Sequence, residues 1–294
     1  NGYSGYQQLF LGDNDSNPAA MKEIIFPIRQ DGLKARAYAG TTYLVSAATI
    51  GGMPYASTGD PWKCFFAREN MVEKFFPNKN DIPKATVDDG LKNPAKQLVI
   101  ANHSDKIIRA ADVIAKAKVD RALLYMGVGG CEEGKVRTIN PGEAITGPLN
   151  GASFVKWSNL HADGSTQHDQ NYSDTDFPVF RLAEIYLTRA EAKYRLGQDD
   201  LDDILKVQDR ANRASKATSV NEQTLIDEWC REFYMEGRRR SDLVRFGLFT
   251  GSKYLWSFKG GAEKGAGVPS YYNIYPIPDN EIKNNPNMTQ NPKY

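Results

Sequence analysis

Aromatic rings are the side chains of this sequence with the clearest chemical use. Tyr38, Tyr55, Trp62 and Tyr172 lie in turn-rich stretches. A tyrosine or tryptophan there offers a flat apolar face with a polar edge, which suits the C–H faces of sugar rings. The same rings can serve only to pack loops onto a core, and composition alone does not choose between the two. Covalent chemistry has less to work with. The sequence has no Gly-x-Ser-x-Gly elbow, no His-Glu-x-x-His pair and no phosphate-binding loop. Gly127-Val128-Gly129-Gly130-Cys131-Glu132 starts like a dinucleotide fingerprint, but Glu132 stands where the third glycine belongs and no helix opens there. Asp88-Asp89, Glu132-Glu133, Asp199-Asp200 and Asp202-Asp203 are adjacent carboxylates in solvated stretches. Glycoside hydrolysis needs two that face each other across a substrate at roughly 5 to 9.5 Å.

Metal-ligating residues are sparse. His161 and His168 share a polar loop with Asp163 and Asp169, while His103 stands apart, and all three read as surface histidines. Asp13-Asn14-Asp15-Ser16-Asn17 gathers hard oxygens of the kind calcium takes, with Asp13 and Asp15 as the candidate ligands. The run lacks the glycine and distal glutamate of an EF-hand, so an Asx-rich turn competes with it. No cofactor is required on this reading, and calcium is the one ion the sequence could accommodate. Cys64, Cys131 and Cys230 show no Cys-x-x-Cys spacing, so neither a zinc site nor a disulfide framework is signalled. The basic run at 236–245 is interleaved with Glu232, Glu236 and Asp242, which fits arginines paired within helix packing. With a net charge of +1, the chain lacks the surplus of Lys and Arg that nucleic-acid binding demands.

The elements that would position these residues follow from length and pattern. A chain of 294 residues, 40% hydrophobic and 25% charged, is ordinary globular material. At about 150 residues per domain it makes one large domain or two. Residues 24–28 read as a strand, placed at an edge by Pro27, and residues 42–46 as a second. Asp60 followed by Pro61 predicts a helix start, with the helix ending at Pro77. A helix is expected over 104–118 and strands over 121–126, 135–139 and 153–157. Residues 160–176 are polar and turn-rich, giving a boundary between a loop-rich part, 1–176, and a helical part, 177–294. In the latter, helices are predicted from Asp176 to a stop at Gly197, over 201–215, over 222–237, and over 238–246 closed by Gly247, before an irregular tail. The apolar stretches at 24–28 and 122–128 are far short of the roughly 20 residues of a membrane-spanning helix. Residues 1–15 carry no signal-peptide pattern.

Three blocks in the C-terminal part resemble the SusD/RagB family of outer-membrane nutrient-binding lipoproteins. They are Phe177-Pro178-Val179-Phe180-Arg181-Leu182-Ala183-Glu184-Ile185-Tyr186-Leu187 with Ala190-Glu191-Ala192, and Arg231-Glu232-Phe233-Tyr234-Met235-Glu236-Gly237-Arg238-Arg239 with Asp242-Leu243-Val244-Arg245-Phe246-Gly247. The third is the tail, Tyr275-Pro276-Ile277-Pro278-Asp279-Asn280-Glu281-Ile282 through Tyr294. Nearer the start, Glu23-Ile24-Ile25-Phe26-Pro27-Ile28, Thr42-Tyr43-Leu44-Val45 and Met71-Val72-Glu73-Lys74-Phe75-Phe76-Pro77 look like a starch-binding member. The resemblance implies a mainly α fold with small β elements, in which tetratricopeptide-like helical pairs accompany a loop-rich, irregular region. It implies non-catalytic binding of α-glucan on an aromatic arc, onto which Tyr38 and Trp62 carry over, with Tyr55 as a further candidate. It also implies delivery to a SusC-like TonB-dependent transporter at the outer membrane, facing the exterior. Family members begin with a lipidated cysteine and further helices that have no counterpart here, so the chain is expected to match the C-terminal half of such a protein, without its lipid anchor. A helical-repeat interaction module without a sugar site, and glycan binding of another specificity, are the competing expectations.

Overall fold

The computed structural model describes residues 3–49, 61–62, 64–76, 121–125, 151–154, 156–211 and 216–294. The chain divides into two compact units, Asn1–Met235 and Glu236–Tyr294. Residue 176 lies inside the first of them, and a strand pairing spans it.

The first unit opens with two single-turn helices. α1, Gly5–Gln8, is held by a reciprocal capping box between Ser4 and Gln7. α2, Pro18–Met21, has Asn17 as its cap and proline at its first position. β1, Ile24–Ile28, forms where Pro27 allows it, in a two-stranded ribbon. Its antiparallel partner is β5, Phe177–Arg181. The helix expected from Asp176 therefore starts six residues later, as α5, Leu182–Arg195. Phe177 stacks on Trp157 at 5.4 Å with the planes 9° apart, and Arg181 runs into the interior, so this stretch is held extended. Gly197, at φ +78°, ends the helical run as the pattern predicts.

Two further expectations are corrected. Residues 42–46 are not a strand but part of α3, Thr41–Ala48. Thr41, Thr42, Val45 and Ala48 are all buried, so burial at helical spacing overrides the β preference of Thr, Tyr and Val. Pro61 and Trp62 do not start a helix. The Trp62 amide donates to the Ser46 carbonyl at 2.9 Å, and the amides of Cys64 and Phe65 donate to that of Ala47, which holds this segment against the end of α3. β2, Phe66–Ala67, and the single turn α4, Glu69–Val72, follow. β2 belongs to a small sheet ordered β2-β4-β3, with β3 at Leu124–Tyr125 and β4 at Ala152–Phe154. Position 60 and the elements expected at 104–118 and 135–139 lie outside the described residues.

α5 packs on α6, Asp202–Arg210, and on α7, Glu222–Phe233. α7 buries Leu225, Ile226, Trp229 and Phe233 on one face. It stops short of 237 because Met235 and Gly237 take positive φ, +58° and +75°. Glu228 and Glu232, on the same helix, are also fully buried. Glu232 meets the guanidinium groups of Arg121, Arg181 and Arg210, while Glu228 meets Arg121, Arg231 and Gln208. An apolar core of Phe10, Phe75, Trp157 and Tyr234 lies in the same unit.

The second unit carries α8, Arg239–Arg245, closed by Gly247 at φ +67°, and a tail with one further helix, α9, Asp279–Asn284. Of the interleaved charges, Asp242 pairs with Arg245 at 2.9 Å, whereas Arg240 donates to the Tyr272 carbonyl at 2.7 Å and Arg239 to the Tyr254 hydroxyl at 2.7 Å.

Candidate functional site

A loop braced by one carboxylate displays the first of the aromatic rings. Asp31 Oδ1 accepts from the amides of Leu33, Lys34 and Ala35 at 2.9, 2.8 and 2.8 Å. The Asp31 amide closes the turn on the Ala35 carbonyl at 3.0 Å. Gly32 is required here, since φ is +66° and a Cβ would come within 2.4 Å of Asp174 Oδ1. Beyond this turn stand Arg36 and Tyr38, the latter 59% exposed.

Four rings gather around Tyr38. Its centroid lies 6.3 Å from Trp62 and 4.8 Å from Tyr172, and Tyr43, on the first turn of α3, lies 5.7 Å from Trp62. Phe65 meets Tyr43 edge-on at 5.4 Å. The planes of the first three pairs are tilted by 47°, 37° and 54°, so the rings form a bent, faceted surface. The neighbouring Tyr38 phenol raises the Tyr172 pKa. The Arg36 guanidinium sits 4.7 Å above the Tyr172 ring. The backbone of Tyr172 is in turn fixed by Asp169 Oδ1, which accepts its amide at 3.1 Å.

Beneath this surface, Asp174 ties two loops together. Its Oδ2 meets His161 Nε2 at 3.1 Å, His168 Nδ1 at 3.3 Å and the His168 amide at 2.9 Å. Burial opposes ionisation of Asp174, but these partners hold its pKa below the usual carboxylate value, while the hydrogen bond to Asp174 raises that of His161. His161 is therefore no surface histidine. Its side chain is 8% exposed and packs against Gly12, where a Cβ would lie 2.5 Å from its ring.

The proposed calcium ligands are not brought together as a pair. Asp13 Oδ2 accepts the Ala162 amide at 3.0 Å, whereas Asp15 faces Arg29 at 3.3 Å. Arg29 also reaches Asp176 at 3.4 Å. Asp176 is 1% exposed, and burial pushes its pKa up to about 6. Its Oδ1 accepts the Gln30 amide at 2.7 Å, but Asp176 Oδ2, Gln30 Oε1 and Asp13 Oδ1 are buried without a hydrogen-bond partner among the described residues. No group of three or more His, Cys, Asp or Glu side chains among the described residues is disposed to hold a metal. The Arg29 guanidinium thus joins the two carboxylates of this corner, Asp15 and Asp176.

The structure brings the rings of Tyr38 and Trp62 to 6.3 Å from each other and leaves Tyr55 outside the described residues. Sequence reasoning missed Tyr43 because it sat in a misassigned strand, and Arg36 because an arginine in a turn carries no pattern. Its place two residues before Tyr38 was the available signal. No helix among the described residues is long and apolar enough to cross a membrane.

Comparison with known proteins places these features in context. Residues 22–294 match the model of the SusD family. The starch-binding protein SusD of Bacteroides thetaiotaomicron is 52% identical over 99% of this chain, and the chain spans 52% of that protein's length. Among solved structures, surface glycan-binding protein A of Bacteroides thetaiotaomicron, solved also in complex with laminarihexaose, is similar with a TM-score of 0.57. Its identity is 18%, over 98% of this chain and 55% of that one. A SusD superfamily protein of Bacteroides fragilis reaches 0.54 at 18% identity, with 98% and 54% covered. At such identities these structures speak for the fold.

Proposed function

The chain belongs to the SusD family, and from that premise we propose that it forms part of a non-catalytic surface protein that binds starch-like α-glucan on the faceted rings of Tyr38, Trp62 and Tyr43. The observation that carries this reading is the cluster itself: tilted, partly exposed aromatic planes with phenol edges beside an arginine. A glucan presents apolar ring faces and many hydroxyls but no charge, so stacking planes with a few polar partners are the complement it needs. The 52% identity to a starch-binding protein supports α-glucan over other glycans.

Stacking at about 1 to 2 kcal/mol per ring leaves an interaction of millimolar class after ordering costs. Weak binding fits a protein that passes oligosaccharide to a SusC-like TonB-dependent transporter at the outer membrane and must then release it. A repeating polymer recovers strength through multivalency. The parent protein would be held at the cell surface by a lipid anchor.

Calcium belongs to the same reading as a structural ion. Asp13 and Asp15 would be its ligands, with the buried Asp13 Oδ1, which has no hydrogen-bond partner among the described residues, as the available oxygen.

Calorimetric titration of malto-oligosaccharide tests the assignment. Trp62→Ala and Tyr38→Ala should each abolish measurable binding while leaving the circular dichroism spectrum unchanged. Unchanged affinity in both variants sinks it. Binding of laminari-oligosaccharide instead would reassign the specificity, and release of reducing ends from starch would make the protein a hydrolase.

A further inference from the structure

We propose that Arg36 is a sugar-binding residue, whose guanidinium fork donates hydrogen bonds to two neighbouring hydroxyls of the glucose unit stacked on Tyr38. The inference rests on the reading of the aromatic cluster as a glycan platform and deepens it.

Three observations converge on this side chain. Arg36 is close to half exposed, at 45%, on the same loop as Tyr38. Among the described residues its one ionic partner is Asp169, at 3.7 Å, and none of its N–H groups makes a hydrogen bond to another described residue. Its guanidinium nevertheless has a seat, 4.7 Å above the Tyr172 ring, whose centroid lies 4.8 Å from that of Tyr38. An arginine carries five N–H donors in one plane. When a face of that plane rests on a ring, the donor edge stays available to solvent or ligand.

The chemistry matches what the rings lack. Tyr38, Trp62 and Tyr43 supply apolar planes, but a glucose unit also brings adjacent hydroxyls whose oxygens accept hydrogen bonds. A planar fork meets two such acceptors at once, and a donor already charged makes the stronger bond. The side-chain entropy is largely spent before the ligand arrives, since the Asp31 turn sets the backbone and Tyr172 the guanidinium. Lys34, on the same exposed turn, would offer a point charge without the fork.

Titration calorimetry with maltoheptaose on the wild-type chain, Arg36→Ala and Arg36→Lys decides the matter, with thermal unfolding as the check on the fold. The expected result is at least a roughly tenfold loss of affinity in Arg36→Ala, as removal of a charge-assisted bond implies. Arg36→Lys should recover little of it, and both variants should melt with the wild type. Unchanged affinity in Arg36→Ala overturns the proposal. So does full recovery in Arg36→Lys, which would reduce Arg36 to a cation that steadies Tyr172. Absence of binding by the wild type overturns the platform reading as well, whereas either variant result against a binding wild type overturns the role of Arg36 alone.

Discussion

Asp176 is a carboxylate placed where its charge costs stability. Burial raises its pKa to about 6, so between the ordinary carboxylate value and pH 6 the folded chain binds more protons than the unfolded one. The sign follows: its contribution is best at acid pH and is lost as pH rises through 6. Arg29, 3.4 Å from its Oδ2, offsets only part of that cost. At pH 7.5, millimolar calcium should raise the melting temperature of the wild type, and a chelator should lower it again. Asp176→Asn should melt higher than the wild type at that pH because the buried charge is gone, whereas a wild type indifferent to calcium rules the ion out. At this scale the sequence was unevenly readable. Tyr38 and Trp62 were singled out by the family resemblance, since rings in turn-rich stretches alone left loop packing equally open. Asp176 gave no such signal, because the Gln30 amide that it accepts comes from 146 positions away. Asp13 and Asp15 drew attention through adjacency, yet adjacency put their side chains on different partners.

Among the elements, α7 depends most on charges that its pattern hides. Its apolar face follows helical spacing and was readable, as were the stops at Gly197 and Gly247. Glu232 instead looked like part of the basic run that follows it. Its partners are Arg121, β5's Arg181 and α6's Arg210, brought together only by folding. Glu232→Ala would leave three guanidinium groups at a buried point without their common anion, at a cost of roughly 3 to 5 kcal/mol. Urea unfolding should show this as a lower midpoint with an unchanged slope, and a loss below about 1 kcal/mol would mean that water reaches the cluster. β5 and α3 show why elements were exchanged. Phe177-Pro178 reads equally as a helix start or as extended chain, and stacking on Trp157 with pairing to β1 chose the second. Thr42, Tyr43 and Val45 favour strands locally, but burial at helical spacing outweighed them.

The whole molecule should be sensitive to acid. For Glu228, burial favours the neutral form, yet Arg121 and Arg231 hold its pKa down to about 2, and Glu232 lies well below the usual value. A carboxylate depressed by folding stabilises fully above its unfolded pKa, near 4.5, and the contribution is lost as pH falls through the folded value. Unfolding followed by circular dichroism should therefore set in below about pH 4.5 and progress towards pH 2. A chain that keeps its stability at pH 2 would contradict the buried network. The mainly helical fold was readable from periodicity, but the division at Met235 was not, because positive φ at Met235 and Gly237 leaves no compositional break. The turn around Asp31 has a kinetic consequence. Three amides on one carboxylate order the turn that leads into Arg36 and Tyr38 without help from a ligand. On the proposed platform, a presenting turn ordered in advance would leave exchange of successive stretches of one polymer set by encounter and by weak contacts.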